Sequence, residues 1–127
     1  MPFVRITLAT VQNKEFKRHI CQAIHQALQQ AFRIPVADYF HVIEELDPDN
    51  LIFPENYMGI PHSDELIYIH ITAKAGRTVE MKQELYQAIT QEITQRTSHS
   101  SDNLIITLIE NDSANWSFGR DIAQLVA

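Results

Sequence analysis

The sequence falls into two stretches with the same order and spacing of elements, and this repeat limits the folds open to the chain. Phe3 to Ala9 is apolar-rich and reads as a strand, and Asn13 offers a helix cap. Phe16, Ile20, Ala23, Ile24, Ala27, Leu28 and Ala31 then trace one face of a helix. Pro35 closes that helix, and Tyr39–Ile43 is a second strand. The pattern recurs with Leu66–Thr72 as a strand, Thr78 as a cap, Met81, Leu85, Ala88, Ile89 and Ile93 as a helix face, and Leu104–Ile109 as a strand. Pro2 to Asp38 spans 36 positions, and so does Leu66 to Asp102. A strand–helix–strand unit places its strands parallel with a right-handed crossover. Two such units side by side predict an α/β chain of the α+β type, with a four-stranded mixed sheet and both helices on one face.

The expected organisation is one domain over 1–127: a first βαβ unit at about 2–46, a connector at 47–64, a second unit at about 65–110, and a tail from 111. The connector holds Pro48, Pro54, Gly59 and Pro61, with a short strand expected at Leu51–Phe53. The other face of the sheet is left uncovered, and the strands carry few polar positions. That combination predicts self-association.

Composition removes several function classes. A net charge of −6 argues against a nucleic-acid footprint and against an anionic membrane surface. No apolar run approaches a membrane span and no secretory signal pattern opens the chain, so a cytoplasmic protein is expected. Cys21 is the one cysteine and falls in a helical pattern, where a buried structural role is expected. The six histidines form no ligand spacing, three glycines make no phosphate loop, and Ser117 lacks a nucleophile elbow. No metal and no cofactor are therefore expected.

Pro2 directly follows Met1 at the head of the first strand. A small second residue permits removal of the initiator methionine, which would leave Pro2 with a free secondary amine. Such a group can act as a base, or as a nucleophile forming a cationic iminium. With Met1 retained, the Pro2 nitrogen is an amide and can do neither.

Four segments carry a family resemblance: Met1-Pro2-Phe3; Ile34-Pro35-Val36-Ala37-Asp38; Gly76-Arg77-Thr78-Val79-Glu80-Met81-Lys82; and Glu110-Asn111 followed by Asn115-Trp116-Ser117-Phe118-Gly119. Together they resemble the tautomerase superfamily, nearest its malonate semialdehyde decarboxylase branch, over almost the whole chain. The resemblance implies a homotrimer, with the proline in a pocket near a subunit boundary. It also implies catalytic roles for Pro2, Asp38 and Arg77, and a substrate site formed by Lys74, Arg77, Trp116, Phe118 and Leu125. The decarboxylase pattern has two arginines where this chain has Lys74 and Arg77. Lysine is a compact charge without the planar fork that grips a carboxylate at two points.

The implied activity is keto-enol proton transfer on a small carboxylate-bearing acid. Decarboxylation or hydration at the same residues is the alternative, and a non-catalytic trimeric binding protein is the alternative of another class. Asp38, between a helix and a strand, could equally serve as a turn residue.

Overall fold

The computed structural model describes residues 2–9 and 12–126. Met1, whose removal decides the state of the Pro2 amine, lies outside them. Two long helices cover one face of a four-stranded sheet. In chain order the elements are β1 (Phe3–Leu8), α1 (Lys14–Phe32), β2 (His41–Glu45), β3 (Asn56–Tyr57), β4 (Ile60–Pro61), β5 (Ile67–Lys74), α2 (Val79–Arg96) and β6 (Leu104–Asn111). The sheet order is β2-β1-β5-β6, with β1 antiparallel to β5 and the two outer pairs parallel. Each parallel pair is one βαβ unit, and the antiparallel seam joins the two units as the repeat predicts.

Both caps form where the sequence offers them. The Asn13 side chain accepts from the Phe16 N–H at 2.8 Å, and the Thr78 hydroxyl accepts from the Met81 N–H at 3.2 Å. Each such cap contributes about 1 kcal/mol. The first helix ends sooner than Pro35 requires: Phe32 is its last residue, and Arg33 turns into the left-handed region at φ 57.

Alternation along the strands sorts the core. Val4, Ile6 and Leu8 of β1 and Ile67, Ile69, Ile71 and Ala73 of β5 are buried against the helices. They meet Ile20, Ala23, Ile24, Ala27 and Leu28 of α1 and Leu85, Ala88, Ile89 and Ile93 of α2. Burying each large aliphatic side chain stabilises the fold by roughly 1.5–3 kcal/mol. Cys21 is less buried than expected, partly buried at the edge of this core, and that burial pushes its thiol pKa up.

The other sheet face differs from its sequence reading. It is mixed rather than apolar, because Arg5, Thr7, Glu44, His70, Thr72 and Thr107 alternate with Phe3, Val42, Tyr68, Ile105 and Ile109. Arg5 pairs with Glu44 at 3.0 Å and the Tyr68 hydroxyl bonds Thr107 at 2.9 Å across this face. Polar cross-strand pairs satisfy one another, so these positions need no apolar cover.

The connector also departs from expectation. Leu51–Phe53 is not a strand; a 3₁₀ turn at Pro48–Asn50 precedes it, and a two-residue hairpin pairs Asn56–Tyr57 with Ile60–Pro61. Its turn residues, Met58 and Gly59, have φ of 51 and 80. Two positive angles are what a tight hairpin turn needs for its twist. Glycine supplies this readily, whereas methionine does so at a steric cost. The Asn103 side chain anchors the connector's far end, accepting from the Ser63 N–H and donating to the Ser63 hydroxyl, both at 2.9 Å.

Candidate active site at one end of the sheet

Strand register brings most of the candidate residues to a single sheet end. Phe3 lies opposite Thr72, so Pro2 falls one step beyond, level with Ala73, and Ala73 in turn lies opposite Glu110. On the other side Val4 lies opposite His41, which brings Tyr39 and Phe40 level with Pro2 and Phe3, with Asp38 one residue further along that approach. Lys74 lies opposite Asn111. The start of β1, the approach to β2 and the ends of β5 and β6 therefore meet, and Pro2 is buried among them.

Asp38 is buried, with 8% of its surface exposed. Its N–H donates to the Pro35 carbonyl at 3.1 Å, so the turn role is real. Burial of a carboxylate in a loop beside Pro2 is a separate fact, because a plain turn aspartate is ordinarily solvated. The next segment is tied directly to β1: the Val4 N–H donates to the Phe40 carbonyl at 2.9 Å. Behind it, His25 of α1 bonds the Val36 carbonyl through Nε2 at 2.8 Å, and its ring centroid lies 5.2 Å from that of Tyr39. His41 sits 6.4 Å from His25 between ring centroids. Burial, with a smaller contribution from His25, lowers its pKa to about 4.

The cationic side is a turn. Gly76 sits at φ 121, a left-handed angle that a side chain rarely adopts, and it lets the chain reverse between β5 and α2. The Arg77 guanidinium lies over the Phe32 ring, 4.8 Å from its centroid, and Nη1 donates to the Lys74 carbonyl at 2.7 Å. These two contacts fix the plane of the fork. Lys74 itself is exposed.

The aromatic side comes from the tail. The Trp116 and Phe118 rings stack at 5.6 Å with 13° between planes, and Phe118 stacks on Phe40 at 6.2 Å. Phe40, not identified in the sequence as a site residue, extends the wall back to β1. Its position before β2 carries no signal for this, because the contact is made 78 residues away in sequence. The tail is clasped by Gln124, which accepts from the Phe118 N–H and donates to the Gly119 carbonyl, both at 2.9 Å. Leu125 follows that clasp and is half-buried.

Among the described residues no group of three or more His, Cys, Asp or Glu is arranged to hold a metal ion. A cleft of about 810 Å³ lies elsewhere, lined by Ala9, Leu51, Phe53, His62 and neighbouring residues at the other end of β1. None of its lining belongs to the candidate site.

The model of a family described as tautomerase enzymes matches residues 38–119, and a second tautomerase model matches residues 2–59. The chain belongs to the tautomerase family. Its curated relatives include the probable tautomerase YusQ of Bacillus subtilis (strain 168), 33% identical over 99% of both chains. The probable tautomerase YrdN of the same organism is 26% identical over 99% of this chain and 97% of its own. Among solved structures, the malonate semialdehyde decarboxylase FG41 inhibited by 3-bromopropiolate has a TM-score of 0.90 at 33% identity, covering 98% of this chain and 94% of that one. A fused 4-OT described as a symmetric trimer shares the fold, with a TM-score of 0.78 at 17% identity over 98% of both chains. This tautomerase thus stands in the superfamily on the malonate semialdehyde decarboxylase side.

Proposed function

We propose that this tautomerase, once Met1 is removed, uses the Pro2 amine to move a proton between carbon and oxygen of a small carboxylate-bearing keto or enol acid. The observation carrying this reading is the buried position of Pro2 at the sheet end that also holds Asp38, the Lys74–Arg77 turn and the Phe40–Phe118–Trp116 wall. An ordinary α-amino group has a pKa of roughly 8. Burial disfavours its charged form, and nearby cations act in the same direction, so the amine is drawn toward neutrality near pH 7. A nearby carboxylate such as Asp38 opposes that shift and can hold the proton-carrying form between half-steps.

In this reading Pro2 removes a proton from the enol oxygen or the carbon next to the carbonyl and returns it at the other atom. Arg77, with Lys74, holds the carboxylate and offsets charge that grows on the enolate. The stacked rings exclude water, and Leu125 extends that apolar side. Decarboxylation or hydration at the same residues is the second reading, favoured by the likeness to malonate semialdehyde decarboxylase. The lysine at position 74 weighs against it, since it offers no second fork.

The assembly in this reading is a homotrimer, as described for the fused 4-OT. Two exposed apolar groups support association: Val36, Tyr39 and Phe40 at the site end, and Ile52, Tyr57 and Met58 on the hairpin side. The test is ketonisation of phenylenolpyruvate, followed by loss of enol absorbance, with intact mass establishing that Met1 is absent. Pro2→Ala is expected to lower kcat by about 10²–10⁴-fold, the usual contribution of a positioned acid–base group. Unchanged turnover in that variant refutes the reading.

A further inference from the structure

We propose that Glu110 and Asn111, the last two residues of β6, are the positioning residues that hold the two walls of the site in register. The assignment rests on the site reading above and adds to it two residues to which no role had been given. Successive strand side chains point to opposite faces, and here both directions are used. Glu110 accepts from the Lys82 Nζ at 2.7 Å, which ties the end of β6 to the first turns of α2 directly after the cation-bearing turn. Asn111 points the other way and accepts the Trp116 indole N–H on Oδ1 at 2.6 Å. Its backbone carbonyl accepts from the Ala75 N–H at 2.7 Å, inside the same turn that carries Lys74 and Arg77.

One dipeptide therefore fixes the cation turn from one side and the indole from the other. Lys82, with smaller contributions from the Gly76 N–H and the Arg77 charge, also keeps the Glu110 carboxyl below its usual range. The Glu110 carboxylate makes its direct ion pair with Lys82, and the Arg77 guanidinium makes its hydrogen bond to the Lys74 carbonyl. Trp116, already stacked on Phe118, is held in one orientation by this short charge-free hydrogen bond.

The chain has a single tryptophan, so its emission reports the surroundings of the Trp116 ring, this contact included. Asn111→Leu removes the acceptor at similar volume, and Asn111→Asp keeps it. The expected result is a displaced emission maximum in Asn111→Leu and the parent maximum in Asn111→Asp. For phenylenolpyruvate, Asn111→Leu and Glu110→Ala are expected to raise KM by about 10-fold with kcat within about threefold, the pattern of binding lost equally from ground and transition state when the walls shift. Lys82→Met releases Glu110 without altering β6 and is expected to raise KM likewise, which keeps the test decisive if Glu110→Ala does not fold.

Folded variants with parent KM and parent emission overturn the inference. So does an equal loss of kcat and KM quality in Asn111→Asp and Asn111→Leu, which marks a merely structural role. Pro2→Ala and Arg77→Ala run alongside: full activity in those two refutes the site reading, whereas their failure beside unaffected Glu110 and Asn111 variants refutes this inference only. The emission comparison needs no turnover and tests the Asn111 assignment in either case.

Discussion

Arg77 offers the sharpest quantitative test of the cation turn. A guanidinium about 4 Å from a substrate carboxylate gains about 4 kcal/mol at an effective dielectric constant of 20. Part of that is offset by desolvation, and Lys74 on the same turn retains some attraction when Arg77 is lost. A net loss of about 2–3 kcal/mol in transition-state binding follows for Arg77→Ala, or about 30–150-fold in kcat/KM. Arg77→Lys keeps the charge but gives up the fork, and a loss of about 10-fold is expected. The stability cost is a separate effect and should be modest. The variant loses a cation–π contact with Phe32, worth about 0.5–2 kcal/mol, and one hydrogen bond to the Lys74 carbonyl. A fall in Tm of about 3–8 °C accommodates both.

The assay is kcat/KM for phenylenolpyruvate at 20 °C across a salt series, with Tm measured on the same samples. Parent activity should fall with salt more steeply than that of Arg77→Ala, because the variant has lost part of the attraction that salt screens. An Arg77→Ala enzyme within twofold of the parent, with the same salt slope, refutes the reasoning.

Two further outcomes are expected. His41 has its pKa lowered from 6.5 to about 4, so the folded protein prefers the neutral ring while the unfolded chain takes up a proton. Its contribution to stability is complete above pH 6.5 and is lost as pH falls from there toward 4. The full shift corresponds to about 3 kcal/mol, and solvent screening at this partly exposed ring reduces it to about 1–2 kcal/mol. Urea midpoints at pH 4.5 and 7 should differ accordingly and converge in His41→Asn; equal pH dependence in the variant counts against the assignment. At the hairpin tip, Met58→Asn keeps a residue that tolerates the left-handed angle while removing an apolar side chain that is 86% exposed. Light scattering should show the proposed trimer dissociating at about 10-fold higher protein concentration, since a methionine buried between copies would contribute about 1.5–3 kcal/mol; an unaffected mass profile rules out the hairpin as a contact between copies.

Much of this molecule was written in local patterns. Asn13 and Thr78 cap the two helices because a short polar side chain before an apolar face satisfies an open N–H wherever it occurs. The alternation of Ile67, Ile69 and Ile71 names the helix-facing side of β5 without reference to anything distant. The two matched spans of 36 positions were enough to give two βαβ units and a mixed sheet. Motif likeness singled out Pro2, Asp38, Lys74, Arg77, Trp116, Phe118 and Leu125 as residues to look for.

What tertiary structure decided was which of these meet, and through what. The antiparallel seam between β1 and β5 brings Pro2 level with Ala73 and Glu110, and no feature of either strand alone specifies that pairing. Phe32 beneath Arg77 and Phe40 against Phe118 are likewise contacts between elements, whereas Asn111 meets Trp116 only five residues along the chain. The turn at Met58–Gly59 escaped the sequence reading, whereas the mixed polarity of the open sheet face follows from the same alternation that names the helix-facing side. Which strands pair, and where a strained φ falls, depend on neighbours brought in by the fold, whereas caps, periodicity and facing along a strand depend on residues a few positions away.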